Sequence, residues 1–232
     1  LYMRSLEDIR HIKYINLEHR TDRNEEVQHE LGKLGLDDRA ERFNAIAMKD
    51  GRVGCTMSHI KCLEDAKKNQ LPHLLIIEDD IQFLNPVLFS KQLTNFLESN
   101  NSWDVILLAG NNMPPHIQVC DSAVKVTRCQ TTTGYLVNGH YYDTLIKNMR
   151  EGLSLLMRNP SNHFHYAVDK FWFSLQQTDK WFLITPLSVT QRAGYSDIEK
   201  RSTDFTKIMV DLDKKEFLQR MQQTRLSQRP SP

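Results

Sequence analysis

Three consecutive carboxylates, Glu78, Asp79 and Asp80, follow an unbroken apolar run in the stretch HLLIIEDDIQF, His73 to Phe83. Neighbouring like charges repel, so a chain gains no stability by stacking them at the end of a buried strand. In an extended backbone residues i and i+2 share one side while i+1 faces the other. Continued through the triplet, that alternation projects Glu78 and Asp80 together and turns Asp79 back toward the protein. Two convergent carboxylates in a half-wet cleft can hold a hard divalent cation such as Mg2+ or Mn2+, or share a proton as an acid/base pair. An acidic loop with solvated charges is the plainer alternative, and the apolar residues on both sides of the triplet weigh against it.

Other segments carry chemistry of their own. INLEHRTDR sets Asn16 at a strand end, with Arg20 and Arg23 near the start of a helix. Backbone N–H groups at such a start, with two guanidinium groups beside them, suit a phosphate-bearing ligand; an exposed helix with i,i+3 charges is the alternative. GRVGCTMSHIKCLEDA carries Gly51 and Gly54 ahead of a helix, which permits close backbone approach to a ligand, yet it matches neither a Walker loop nor a GxGxxG fingerprint. His59, taken alone, reads more readily as a structural histidine than as a catalyst. Cys55, Cys62, Cys120 and Cys129 show no CxxC pair and no His partner at zinc spacing, so they read as free buried thiols of a reducing compartment.

Elements that position these groups alternate along the chain. IKYINL (Ile12–Leu17) reads as a first strand, followed by a helix with an Asp22-x-x-Glu25 capping box and Gly35 as its stop. RFNAIA (Arg42–Ala47) reads as a second strand, and Met57, Ile60, Leu63 and Ala66 fall at helical intervals. HLLII has the length and composition of a central strand covered on both faces. Asn85-Pro86 opens a helix toward Leu97 as N-cap and first position. WDVILLAGN repeats the strand pattern, TTTGYLVNGHYYDTLIKNM reads as strand, turn and helix, HFHYAVDKFWFSLQQ as an aromatic helix, and WFLITPLSVTQ as a late strand. The alternation predicts an α/β fold with a mostly parallel sheet, where ligands collect at the carboxyl ends of strands. One domain over residues 10–210 is expected, with a polar C-terminal helix and flexible tail over 211–232.

Bulk properties narrow the function classes. The 232 residues are 40% hydrophobic and 25% charged, as in ordinary globular proteins, and the net charge of +1 argues against nucleic-acid binding and a polybasic membrane surface. The sequon at Asn100-Asn101-Ser102 decides nothing about compartment. No apolar run approaches the roughly 20 residues of a membrane span, and the opening LYMRSLEDIRH lacks a signal peptide's apolar core. The expectation is a cytoplasmic protein (host cytoplasm for a viral source), with peripheral membrane association open.

Taken in order, INLEHRTDR, GCTMSHIKCLEDA, LLIIEDDIQF, TTTGYLVNGHYYDTLI, YAVDKFWF and QRAGYSDIE resemble glycosyltransferase family 25 across about Ile12 to Glu199. That family includes lipooligosaccharide galactosyltransferases and collagen hydroxylysine galactosyltransferases. The resemblance implies a single Rossmann-like nucleotide-sugar transferase domain of the GT-A type, with helices flanking the sheet. It implies Mn2+ (or Mg2+) on Asp80 and Glu78, bridging the diphosphate of a UDP-sugar, and transfer of galactose or glucose with inversion to a saccharide or a hydroxylysine-type protein acceptor. Asp169 matches a family Asp on the acceptor side and is the candidate base; capping or salt-bridging a helix beside core aromatics is its alternative. Asn16, Arg20 and Arg23 would lie nearest the nucleotide, Gly54, Ser58, His59 and Asp79 would border the same pocket, and Gln191, Ser196 and Asp197 would close the donor site or supply another ligand. Arg192-Ala193 stands where the family pattern has a proline nearby.

Two rivals belong to other classes. A Mg2+-dependent phosphoryl-transfer domain also clusters carboxylates, but EDDIQF lacks the D-x-D-x-[TV] arrangement. A non-catalytic relative would keep the fold for nucleotide-sugar binding.

Overall fold

The computed structural model describes residues 2–227. In its first half β1 (Ile12–Asn16), α1 (Thr21–Gly32), β2 (Ala40–Asn44), α2 (Gly51–Lys68), β3 (His73–Glu78), β4 (Ile81–Phe83) and α3 (Pro86–Ser99) follow one another. A strand-rich middle follows: β5 (Val105–Leu107), β6 (Asn111–Asn112), β7 (Ile117–Cys120), β8 (Ala123–Lys125), β9 (Cys129–Gln130) and β10 (Gly134–Asn138). Then come α4 (Tyr142–Arg158), α5 (His163–Tyr166), α6 (Val168–Phe171), α7 (Phe173–Thr178), β11 (Trp181–Ile184), β12 (Val189–Gln191), β13 (Gly194–Ser196), β14 (Arg201–Thr203), α8 (Thr206–Met209) and α9 (Lys215–Ser227).

The central sheet has eight strands in the order β2-β1-β3-β10-β5-β11-β8-β7. Strands β2, β1, β3, β5, β11 and β7 point one way, and β10 and β8 run against them. The expected α/β architecture with most strands aligned is present, with β10 inserted antiparallel between β3 and β5. That insertion brings the N-terminal approach to β10, Thr131–Thr133, to the edge where β1, β3 and β5 end.

Both faces of β3 are covered, as its apolar run requires. Leu75 and Ile77 pack on one side with Val27 and Leu31 of α1 and Phe89, Leu93 and Phe96 of α3. Leu74 and Ile76 pack on the other with Ile60, Leu63 and Ala66 of α2 and Leu145, Ile146 and Met149 of α4. All four strand residues are fully buried, each contributing about 1.5–3 kcal/mol by burial. A rigid, doubly covered strand therefore ends in the three carboxylates.

Several local expectations shift. Helix α1 begins at Thr21 with Arg20 at its N-cap and no side-chain cap, so the Asp22/Glu25 capping box is absent; Asp22 is held by the Arg20 guanidinium instead. The second strand is Ala40–Asn44, in register with β1, and stops before Ala45–Ala47. Both glycines of GRVG lie within the first turn of α2, whose N-cap is Asp50. Helix α3 opens as read, with the Asn85 side chain accepting from the Leu88 N–H and Pro86 leading the first turn. The aromatic segment is three short helices, broken at Ala167 and Trp172. Trp172 is buried and its Nε1 donates to the Cys129 carbonyl at 3.0 Å, which anchors the break against the sheet. The late strand divides into β11 and β12 around Pro186, which has no N–H to continue a ladder. The polar C-terminal helix is α9, and the tail expected beyond it lies outside the described residues.

Candidate functional site

The carboxyl ends of β1 and β3, the approach to β10, the first turns of α2 and the 191–200 segment surround two cavities. The smaller, about 340 Å³, is bordered by Ile15, Arg23, Met48, Asp79, Asp80 and Asp197 among others. The larger, about 560 Å³, is bordered by Arg52, Thr131, Phe164, Asp169, Lys170 and Phe205 among others. Cys55, Glu78, Gln191, Ser196 and Ile198 border both, so the two spaces meet beside Glu78.

Each carboxylate of the triplet has a different environment. Strand β3 ends at Glu78, and Asp79 and Asp80 form the turn into β4, so strict alternation stops before Asp80. Asp79 reaches toward the end of β1: its Oδ2 accepts from Asn16 Nδ2 at 2.8 Å and its Oδ1 lies 3.0 Å from Arg23 Nη1. It is the most buried of the three, yet it still borders the smaller cavity. Burial raises its pKa, and Arg23 and Asn16 offset the shift only in part. Glu78 reaches toward α2: its Oε1 accepts from Thr132 Oγ1 at 2.6 Å and from Cys55 Sγ at 3.6 Å, and lies 3.2 Å from His59 Nε2. Burial works to raise the Glu78 pKa, but His59, Thr132 and Cys55 outweigh it and leave the group lowered. None of these contacts uses Oε2.

Asp80 is the least satisfied. Its Oδ1 is buried without a hydrogen-bond partner, and its Oδ2 lies 3.7 Å from Arg23 Nη1. Burial pushes its carboxyl up to about 8, Glu78 adds to the rise, and Arg23 offsets it only in part. A buried acceptor left unpaired costs free energy that a cation facing it would recover. Hard oxygen donors at Asp80 and Glu78, with one orphaned oxygen, are of the type that would suit the divalent ion the family resemblance implies.

The other expected residues divide by position. Arg23, Ser58, Gln191 and Asp197 border the smaller cavity. Asn16, Arg20, Gly54 and His59 stand outside both linings and support them. Asn16 braces Asp79 and accepts from Arg42 Nε at 2.9 Å. Arg20 lies 2.5 Å from Asp197 and also holds Asp22, the two carboxylates raising its pKa against the opposing effect of burial. A Cβ on Gly54 would stand 2.3 Å from the Ile46 carbonyl oxygen, so its glycine admits protein backbone, and no ligand contact follows from it. Ser58 Oγ accepts from the Ile46 N–H at 2.9 Å and donates to the Gly54 carbonyl at 2.8 Å. His59 is fully buried, with Nδ1 2.7 Å from the Tyr135 hydroxyl.

Asp169 borders the larger cavity, and its Oδ2 accepts from the Thr131 N–H at 3.0 Å. Burial raises its pKa, with Glu78 adding to the shift and Lys170 opposing it. Arg192, where the family pattern has a nearby proline, donates its N–H to the Asp80 carbonyl at 2.6 Å and pairs with Glu30 at 2.9 Å, fixing the turn. Sequence reading missed Thr132, Tyr135 and Cys55. The i,i+4 spacing of Cys55 and His59 on one helix face was a usable signal; nothing local marked Thr132.

Comparison with known proteins agrees with the motif reading. Residues 47–157 match glycosyltransferase family 25 (LPS biosynthesis protein). Procollagen galactosyltransferase 1 of Danio rerio is 24% identical over 216 residues, covering 85% of this chain and 35% of that protein. The chain thus spans about a third of that relative's length. Among solved structures, a glycosyltransferase involved in the glycosylation of the major capsid of PBCV-1 overlaps with a TM-score of 0.42 at 11% identity, covering 75% of this chain and 91% of that one. Mannose-1-phosphate geranyltransferase from Thermus thermophilus overlaps with a TM-score of 0.40 at 10% identity, covering 76% and 73%.

Proposed function

We propose that this chain, a relative of glycosyltransferase family 25, transfers galactose or glucose from a UDP-sugar to a hydroxyl of a saccharide or hydroxylysine-type protein acceptor, with inversion. The observation that carries the reading is the meeting of two cavities beside Glu78, one bordered by Asp80 and Arg23, the other by Asp169.

The nucleotide sugar occupies the smaller cavity. Arg23 is the cation nearest the diphosphate, with Asn16 and Arg20 supporting the walls. Asp80 and Glu78 would hold Mn2+ or Mg2+, which supplies Lewis-acid stabilisation of the charge developing on the departing diphosphate. The acceptor enters the larger cavity, where Asp169 takes the proton from its hydroxyl. Desolvation makes that carboxylate a stronger base than a solvated one, and the Thr131 N–H fixes one of its oxygens, which orients the other. Exposed Phe164 offers an apolar face at the same cavity for the hydrophobic side of a sugar ring.

A panel of nucleotide sugars scored by released nucleoside diphosphate, with Mn2+ or EDTA, tests the reading. UDP release from one UDP-hexose only with Mn2+ is the expected result. Tight donor binding without turnover across a broad acceptor set would support a non-catalytic role, and phosphate release without nucleotide-sugar binding would overturn the assignment.

A further inference from the structure

Cys55 and His59 sit one turn apart on α2 and meet Glu78 from β3 beneath the passage between the two cavities. Their ligating atoms, Sγ, Nε2 and a carboxylate oxygen, all lie within 4.8 Å of one another. Two of the separations are compatible with a bound ion as well as with the hydrogen bonds present. Around a tetrahedral Zn2+, with bonds of about 2.3 Å to sulfur and about 2.0 Å to nitrogen and oxygen, sulfur and oxygen stand about 3.5 Å apart and nitrogen and oxygen about 3.3 Å apart. Here the same pairs stand at 3.6 Å and 3.2 Å.

We propose that Cys55, His59 and Glu78 form a site for a thiophilic divalent ion of the Zn2+ type, sharing with the hard-ion position at Asp80 only the Glu78 carboxylate, whose Oε1 faces Cys55 and His59. Soft sulfur and borderline imidazole nitrogen select zinc-like ions over Mg2+ and Mn2+. The surroundings supply what such a site needs beyond its donors. The Tyr135 hydroxyl, 2.7 Å from His59 Nδ1, fixes the imidazole so that Nε2 faces the site, and Thr132 Oγ1 orients the Glu78 carboxylate. Both cavities reach Cys55 and Glu78, giving an entry path and room for a water or ligand atom as fourth donor. On binding, the S–H bond of Cys55 breaks, a sulfur–metal bond forms, and the proton passes to solvent. An ion held here would lie beside the place where the two cavities meet.

Spectroscopic titration of the reduced, metal-free full chain with Co2+ tests the site. The expected result is a near-ultraviolet thiolate-to-cobalt band with intense visible bands of a tetrahedral centre, displaced by Zn2+. Cys55→Ser should abolish the ultraviolet band and weaken Zn2+ by at least about tenfold, the effect of losing even a supporting group. Cys55→Ala gives the same loss if the serine variant melts early. Cys120→Ser and Asp80→Ala should both retain the band. Binding of Co2+ without a thiolate band, a band that survives loss of Cys55, or a band lost with Asp80 would each overturn the proposal. This readout needs no nucleotide sugar, so its failure and failure of the transferase reading are separately visible.

Discussion

The Asn16 amide and the Asp79 carboxylate meet at 2.8 Å across 63 residues of sequence, Nδ2 donating to Oδ2. The contact ties the end of β1 to the turn after β3, and Arg23 closes the other side of Asp79 at 3.0 Å. Asp79→Ala leaves a buried amide and a mostly buried guanidinium short of a partner, so it should lower unfolding free energy by about 2–4 kcal/mol. Asp79→Asn keeps the shape and one acceptor and should cost about 1 kcal/mol. Urea unfolding of both variants checks the difference.

Asp80 should behave in the opposite way. A carboxyl whose pKa rises to about 8 in the fold weakens the fold as pH climbs from its unfolded value near 4 through that window, because the unfolded chain ionises first. Asp80→Asn should therefore stabilise the metal-free protein, with a gain that grows from pH 5 to pH 8, while weakening Mn2+-dependent UDP binding by at least about tenfold. Melting curves against pH, paired with UDP titration in Mn2+ and in EDTA, would show both effects.

Asp169→Asn keeps an oxygen for the Thr131 N–H but cannot accept the acceptor's proton. Transfer should fall at least about 100-fold, with UDP affinity unchanged and the melting temperature equal or higher, since the raised carboxyl pKa in the fold is removed. Loss of folding would instead identify Asp169 as a structural anchor.

His73 carries a separate pH signature. It is buried, its Nε2 accepts from the Arg10 N–H at 2.9 Å, and burial, assisted by His11, lowers its pKa to about 4. The neutral ring belongs to the fold, so this stability is full above the unfolded value near 6.5 and is lost as pH falls toward 4. His73→Gln should flatten the difference between melting temperatures at pH 7 and pH 5 relative to the parent chain.

Gly54→Ala tests a support rather than a ligand group. The added Cβ would meet the Ile46 carbonyl, which cannot move aside like a flexible side chain, so a loss of about 1–3 kcal/mol is expected. UDP affinity in the remaining folded protein should be unchanged.

Much of this arrangement was legible because it rests on local pattern. The unbroken run from Leu74 to Ile77 announced a doubly covered strand, and Asn85-Pro86 announced a helix start; both are present. What stayed hidden depends on long-range pairing. Nothing within TTTG shows that β10 runs antiparallel between β3 and β5, yet that placement alone delivers Thr132 to Glu78. The triplet's alternation holds from Glu78 to Asp79, which face opposite sides, and stops before Asp80 because a turn, not a continuing strand, carries the last two carboxylates. The aromatic segment broke into three pieces because Trp172 anchors in the core, a demand that helical periodicity does not encode.

Arg20 meets Asp197 across 177 residues of sequence, and Arg23 Nη2 donates to the Tyr195 carbonyl across 172. During synthesis, therefore, the sheet's first three strands can pair long before the segment that walls the smaller cavity leaves the ribosome. A nascent chain stopped near residue 190 would carry the three carboxylates on an assembled strand end with their cover missing. Capacity to retain a nucleotide should thus appear late and abruptly along the chain, once the 191–200 segment is present, and not as a property of the N-terminal half.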